Sequence, residues 1–86
     1  MIDSKLLKSQ VREFVSPIAE RVGVRSFSDD ESLTAAGILS SLAIFRTVAF
    51  LEETFSVTIA DEDIVMENFD SIDKITLLVT SKARAA

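Results

Sequence analysis

The 86-residue chain contains no cysteine, no histidine, no tryptophan and no tyrosine. Disulfides are therefore excluded, as are thiolate and imidazole metal sites. A Ser–His or Cys–His nucleophile pair cannot be assembled either. Glycine occurs only at Gly23 and Gly37, too sparsely for a phosphate-cradling glycine loop. An enzyme made from the remaining residue types would need a carboxylate pair or an activated lysine, and no pattern marks one. No catalytic residue and no metal ligand is assigned, and the chain is not expected to be an enzyme. No apolar run approaches the roughly 20 residues that a membrane span requires. The opening MIDSKLLKSQ lacks the apolar stretch and cleavage site of a secretory signal, so a cytoplasmic location is expected.

What the chain does have is apolar material. Apolar residues make up 48% of it, six of them Phe, which is too much for disorder and enough for one core. The length allows a single domain over residues 1–86 and no second core. Charge is segregated. Between Asp29 and Asp73 stand eleven acids (Asp29, Asp30, Glu31, Glu52, Glu53, Asp61, Glu62, Asp63, Glu67, Asp70, Asp73) and one base, Arg46. Such a segment repels nucleic acid and steers toward basic patches on protein partners, or serves solubility alone.

Apolar residues recur at steps of three and four from Ser4 to Val22: Leu6, Leu7, Val11, Phe14, Val15, Ile18, Ala19 and Val22. That period predicts a helix, capped by Asp3 or Ser4 and stopped by Gly23. Pro17 lacks an N–H and crowds the preceding turn, which predicts a kink or break near Ser16. Gly23–Leu39 has neither period and reads as a long loop pinned by Val24, Phe27, Leu33 and Ile38. Ser40–Phe55 is apolar over most of a helical circumference, as in a central helix, with Arg46, Thr47, Glu52 and Glu53 on the wet side. Ser56–Ala60 alternates weakly and is too short to found a sheet. Asp61–Glu67 suits one helical turn, broken by Asn68-Phe69-Asp70. Asp70 or Ser71 then caps a last helix with Ile72, Ile75, Leu78 and Val79 on one face. The tail from Lys82 is expected to fray, residues 83–86 included. The expected fold is all-α, a bundle of three to four helices with a long loop between helices 1 and 2.

Within this plan the segment Gly37–Leu42, GILSSL, places hydroxyls where a loop gives way to the central helix. A helix N terminus offers free N–H groups and a favourable dipole to an anion, so a phosphodiester attached there would be stabilised. Serines at that position are also ordinary caps. The order of motifs goes further. Ser40-Ser41-Leu42 is followed by an apolar helix, then Leu51-Glu52-Glu53-Thr54-Phe55, Ser56-Val57-Thr58-Ile59-Ala60, Asp61-Glu62-Asp63-Ile64 and Glu67-Asn68-Phe69-Asp70-Ser71-Ile72. From Glu31 to Ile75 the chain resembles the acyl carrier proteins, in particular the stand-alone carriers of specialised pathways. In that family an Asp-Ser-Leu motif opens the second helix, four residues after a Gly, as Gly37 stands before Ser41. The resemblance implies an acyl-carrier-protein-like bundle and a 4'-phosphopantetheine arm, taken from coenzyme A and attached at Ser41. It implies an acyl or aminoacyl cargo held as a thioester. The implied partners are a phosphopantetheinyl transferase and the enzymes that load and receive the cargo, met by a monomer through Leu42, Ala43, Arg46 and Glu53. Phe45, Val48 and Leu51 would pack in the core, or line a cleft for an acyl chain.

Two positions depart from the family pattern. The Asp that precedes the attachment Ser is replaced by Ser40, which makes Ser40 a second candidate for modification. Arg46 stands where many fatty-acid carriers have an acid, which implies a dedicated set of partners. The alternative function is an unmodified interaction or regulatory subunit on the same fold.

Overall fold

The computed structural model describes residues 3–85. Three α-helices, α1 (Ser4–Arg21), α2 (Ser41–Phe55) and α3 (Ile72–Ala85), are joined by a long first loop and by two 3₁₀ turns, η1 (Asp61–Asp63) and η2 (Met66–Phe69). No strand occurs among the described residues. The expected all-helical plan with a long connection between helices 1 and 2 is therefore observed. No described helix is long and apolar enough to cross a membrane.

The Asp3 carboxylate caps α1 by accepting the Lys5 N–H at 3.0 Å. Leu7, Val11, Val15 and Ala19 form its buried stripe. Of the kink or break expected near Ser16, the break does not occur: α1 runs unbroken through Pro17. The stripe continues on both sides of the proline, and α1 packs along α3, so burial of Val11, Val15 and Ala19 outweighs one missing backbone bond. The Ser16 hydroxyl donates to the Arg12 carbonyl at 2.8 Å in the same turn. Gly23 ends the helix with φ +83°. Its N–H donates to the Glu20 carbonyl while the Val24 N–H reaches back to Ala19, the two bonds of a Schellman stop.

The first loop is held by its own side chains. Phe27, Leu33, Ile38 and Leu39 are buried in the core, and Val24 packs half-buried against it. Of these only Leu39 was absent from the expected pins. Residues Ser32–Ala36 make a turn that repeats the stop at Gly23. Gly37 has φ +76°, its N–H donates to Thr34, and the Ile38 N–H donates to Leu33. Asp70 fastens this turn to the base of α3. Its carboxylate accepts from the Ser32 hydroxyl (2.9 Å), the Thr34 N–H (3.1 Å) and the Thr34 hydroxyl, and its carbonyl accepts from the Leu33 N–H at 2.6 Å. These bonds hold the Asp70 carboxyl below the usual carboxylate range, the Thr34 hydroxyl contributing most. The cap of α3 is Ser71, whose hydroxyl accepts the Lys74 N–H at 3.0 Å.

Farther out on the loop, the Asp29 carboxylate receives the Arg12 guanidinium, which also donates to the Phe27 carbonyl and lies over the Phe27 ring. The Asp29 carbonyl accepts the Asp73 N–H, one of the free donors at the start of α3. Lys8 bridges Asp73 at 2.8 Å, and its ammonium is stabilised by that bond.

The single turn expected over Asp61–Glu67 is instead two, η1 and η2, separated at Ile64 and Val65, and η2 runs through Asn68 and Phe69 where a break was expected. Phe69 is fully buried and the Asn68 amide donates to the Asp63 carbonyl, so core burial fixes a turn where local propensity favours none. Ile72, Ile75, Leu78 and Val79 of α3 are buried as their spacing predicts. The helix continues to Ala85, past Lys82, whose ammonium pairs with Asp63; Ala86 lies outside the described residues.

Candidate functional site

The loop delivers the chain to α2 through buried Ile38 and Leu39 and extended Ser40 (φ −101°, ψ 174°). Ser40 is the cap. Its hydroxyl accepts the Ala43 N–H at 3.3 Å and its carbonyl accepts the Ile44 N–H. Ser41 is the first residue of the helix and is exposed. Its hydroxyl makes no hydrogen bond among the described residues. Two adjacent serines thus have different duties: one oxygen is committed to the backbone and the other faces solvent. No acid lies in the first turn, so nothing there offsets the positive end of the helix dipole.

The buried face of α2 is Ile44, Thr47, Val48 and Leu51, the i, i+3, i+4, i+7 stripe of an ordinary surface helix. This corrects three expectations. Thr47 is not on the wet side: it is fully buried, and its hydroxyl donates to the Ala43 carbonyl at 2.8 Å, so no polar atom is left unpaired. Phe45 is not in the core: it is 61% exposed, while Val48 and Leu51 are buried as anticipated. Glu52, also assigned to the wet side, is half-buried and its carboxylate accepts the Ile59 N–H at 2.9 Å. Phe50 is half-buried and stacks on Phe14 of α1 at 4.2 Å between ring centroids, with Phe55 against its edge at 6.1 Å.

Opposite that stripe, at about 100° per residue, Leu42, Phe45, Arg46, Ala49 and Glu53 share one exposed face beginning one residue after Ser41. Of the anticipated partner-facing residues, Leu42, Arg46 and Glu53 lie there, and Ala43 is half-buried at its margin. Phe45 and Ala49 belong to the same face and were not anticipated; neither were Val65 and Met66, exposed at the start of η2, which packs against α2. The helical wheel carries the signal for Phe45 and Ala49 once Thr47 is placed inside. No sequence signal marks Val65 and Met66, whose exposure follows from how η2 docks.

This arrangement suits a phosphodiester on Ser41. An exposed hydroxyl, an uncapped pair of N–H groups at Ser41 and Leu42, and an apolar neighbour form an open, anion-tolerant helix end. No protein-family model and no curated protein matches the chain. Among solved structures it is similar to the crystal structure of an acyl carrier protein from Thermotoga maritima, with 21% identity, 92% of each chain covered and a TM-score of 0.65. That likeness establishes the fold, which is the acyl carrier protein fold.

Proposed function

We propose that this chain is an acyl or aminoacyl carrier, modified at Ser41 with 4'-phosphopantetheine from coenzyme A. The observation that carries the reading is the split between the two serines: Ser40 is engaged as the cap, and Ser41 is free and exposed at the first position of α2. Both sit on the carrier fold, four residues or fewer past a positive-φ glycine.

The arm supplies a thiol that holds the cargo as a thioester, which accounts for a chain without cysteine or histidine of its own. This chain's residues present and orient it. Ser41 provides the attachment oxygen; the N–H groups of Ser41 and Leu42 and the helix dipole favour the phosphodiester charge. Ser40 keeps the first turn closed so that the attachment point is rigid. Tethering raises the effective concentration of the cargo at each partner's site without adding contacts. The partners are a phosphopantetheinyl transferase and the loading and receiving enzymes, and the carrier works as a cytoplasmic monomer.

Replacement of the motif Asp by Ser40 favours a second reading, an unmodified interaction subunit. The test is intact mass after incubation with coenzyme A and a broad-specificity phosphopantetheinyl transferase. A gain of one phosphopantetheine, retained in Ser40→Ala and lost in Ser41→Ala, is expected. A gain lost only in Ser40→Ala would move the site by one residue. No gain, even with the transferase of the source organism, would leave the unmodified subunit as the better reading.

A further inference from the structure

The inner face of α2 is closed on both sides by aromatic rings. Toward α1, Phe50 stacks on Phe14 with the ring centroids 4.2 Å apart and the planes inclined by 14°, and Phe55 meets the edge of Phe50. Toward α3, η2 packs against both α2 and α3, and its buried residue is Phe69, which is fully enclosed. That ring is a wedge between the two helices. Between the rings lie Ile44, Thr47, Val48 and Leu51, none more than 8% exposed. On α3, Ile72, Ile75 and Val79 are fully buried in the same core. Side chains packed at this density leave no room for added methylenes, and inserting them forces neighbours off their rotamers. Flexible methionines yield most easily in such a core, but the described methionine, Met66, is on the surface.

Resting on the carrier reading of Ser41, we propose that these rings bar an acyl chain from the core, and that the cargo is a small or polar acyl group, such as an aminoacyl group, which stays in water on the arm. A long alkyl cargo gains from burial in proportion to its length. Here it would find no shelter, and it would add to the exposed Leu42 and Phe45 an apolar patch of the kind that drives association. A polar cargo has the opposite preference. Its amine or hydroxyl would lose hydrogen bonds to water on entering an apolar core, so a closed core is no disadvantage to it. The chain then supplies attachment and presentation, and choice of cargo falls to the enzymes that load and receive it.

The test is the thermal stability of the carrier loaded at Ser41 with arms that bear acetyl, alanyl or decanoyl groups in non-hydrolysable amide linkage, loading being checked by intact mass. In the natural chain the three forms melt within about 2 °C of one another, whereas burial of the alkyl chain would raise Tm by about 3 °C or more for each methylene. Phe50→Ala and Phe69→Leu each open one seam. Phe50 is half-buried and Leu keeps the Phe69 position apolar, so both variants fold, as helical circular dichroism checks. In these variants the decanoyl form should melt above the acetyl form by about 5 °C or more. A decanoyl form of the natural chain that melts well above its acetyl form would overturn the proposal. So would equal melting of the two forms in both variants, since the rings would then bar nothing. Either result leaves the carrier reading intact. No mass gain in the natural chain would remove the carrier reading itself, and the cargo inference with it.

Discussion

Asp70 offers the sharpest test of how the site is positioned. It joins the turn before Gly37 to the base of α3, across 36 to 38 residues of chain, with one carboxylate oxygen accepting from Ser32, from the Thr34 hydroxyl and from the Thr34 N–H. Asp70→Ala leaves the half-buried Thr34 N–H without its acceptor, while the two hydroxyls can turn to water. An orphaned donor of this kind costs about 1–3 kcal/mol, so a loss of about 2 kcal/mol is expected. Asp70→Asn keeps one acceptor oxygen but not the charge that strengthens the bonds, a loss of about 1 kcal/mol. At roughly 4–8 °C per kcal/mol for a domain of this size, Tm should fall by about 8–16 °C for Ala and about 4–8 °C for Asn.

The pH dependence has a definite sign. The hydrogen bonds lower the folded-state pKa of Asp70, the Thr34 hydroxyl first. The contribution is then fully present above the unfolded value, near 3.9, and is lost as pH falls through the lower folded value. Thermal melts of the natural chain and of Asp70→Asn should therefore differ by a constant amount from neutral pH down to about 5 and begin to converge only below about 4. If the two melt together at neutral pH, or if the gap persists undiminished to about pH 2, the carboxylate does not hold the loop and the role given to Asp70 is wrong.

Three further expectations concern the start and the inner face of α2. Ser40→Ala removes the cap and costs about 1 kcal/mol, measurable in urea unfolding, whereas Ser41→Ala changes stability by less than about 0.5 kcal/mol; equal losses would contradict the division of duties between the two serines. Thr47→Val stays within about 1 kcal/mol of the natural chain, because the hydroxyl and its local bond disappear together, while Thr47→Lys buries a charge and prevents folding under native conditions; a folded Thr47→Lys would put that face back in solvent. Gly37→Ala has room for its Cβ but not the backbone, and should lose about 1–2 kcal/mol to the left-handed conformation, read from the urea midpoint.

Much of the fold is legible from local chemistry. The stripes of α1 and α3, the stop at Gly23 and the pinned loop each follow from spacing or from one residue's conformational range. The misses share a cause. At Pro17 a local preference predicted a kink or break, and burial of Val15 and Ala19 keeps the helix unbroken; at Asn68-Phe69 it predicted a break, and burial of Phe69 holds a second turn there. Local propensities are worth about a kcal/mol each, or about 3 for a proline, and a buried apolar side chain matches or exceeds that. Propensity therefore decides only where burial is indifferent. Asp70 was invisible for another reason: its partners Ser32 and Thr34 are distant in sequence, and either Asp70 or Ser71 could have capped α3.

The reading of α2 turned on one residue. With Thr47 counted as polar and outward, Phe45 was placed in the core with Val48 and Leu51, and the helix read as apolar over most of its circumference. A threonine whose hydroxyl bonds its own helix four residues back, as Thr47 does to Ala43, presents little more than a methyl group to the core. Placing it inside rotates the assignment and releases Phe45 to the surface beside Leu42 and Ser41. The same correction turns Phe45 from a candidate wall for an acyl chain into a candidate anchor for a partner enzyme. The two roles call for opposite experiments: Phe45→Ala leaves stability nearly unchanged if the ring is solvent-exposed, whereas loss of a core phenylalanine costs about 3–5 kcal/mol. One urea titration of that variant separates them before any partner is in hand.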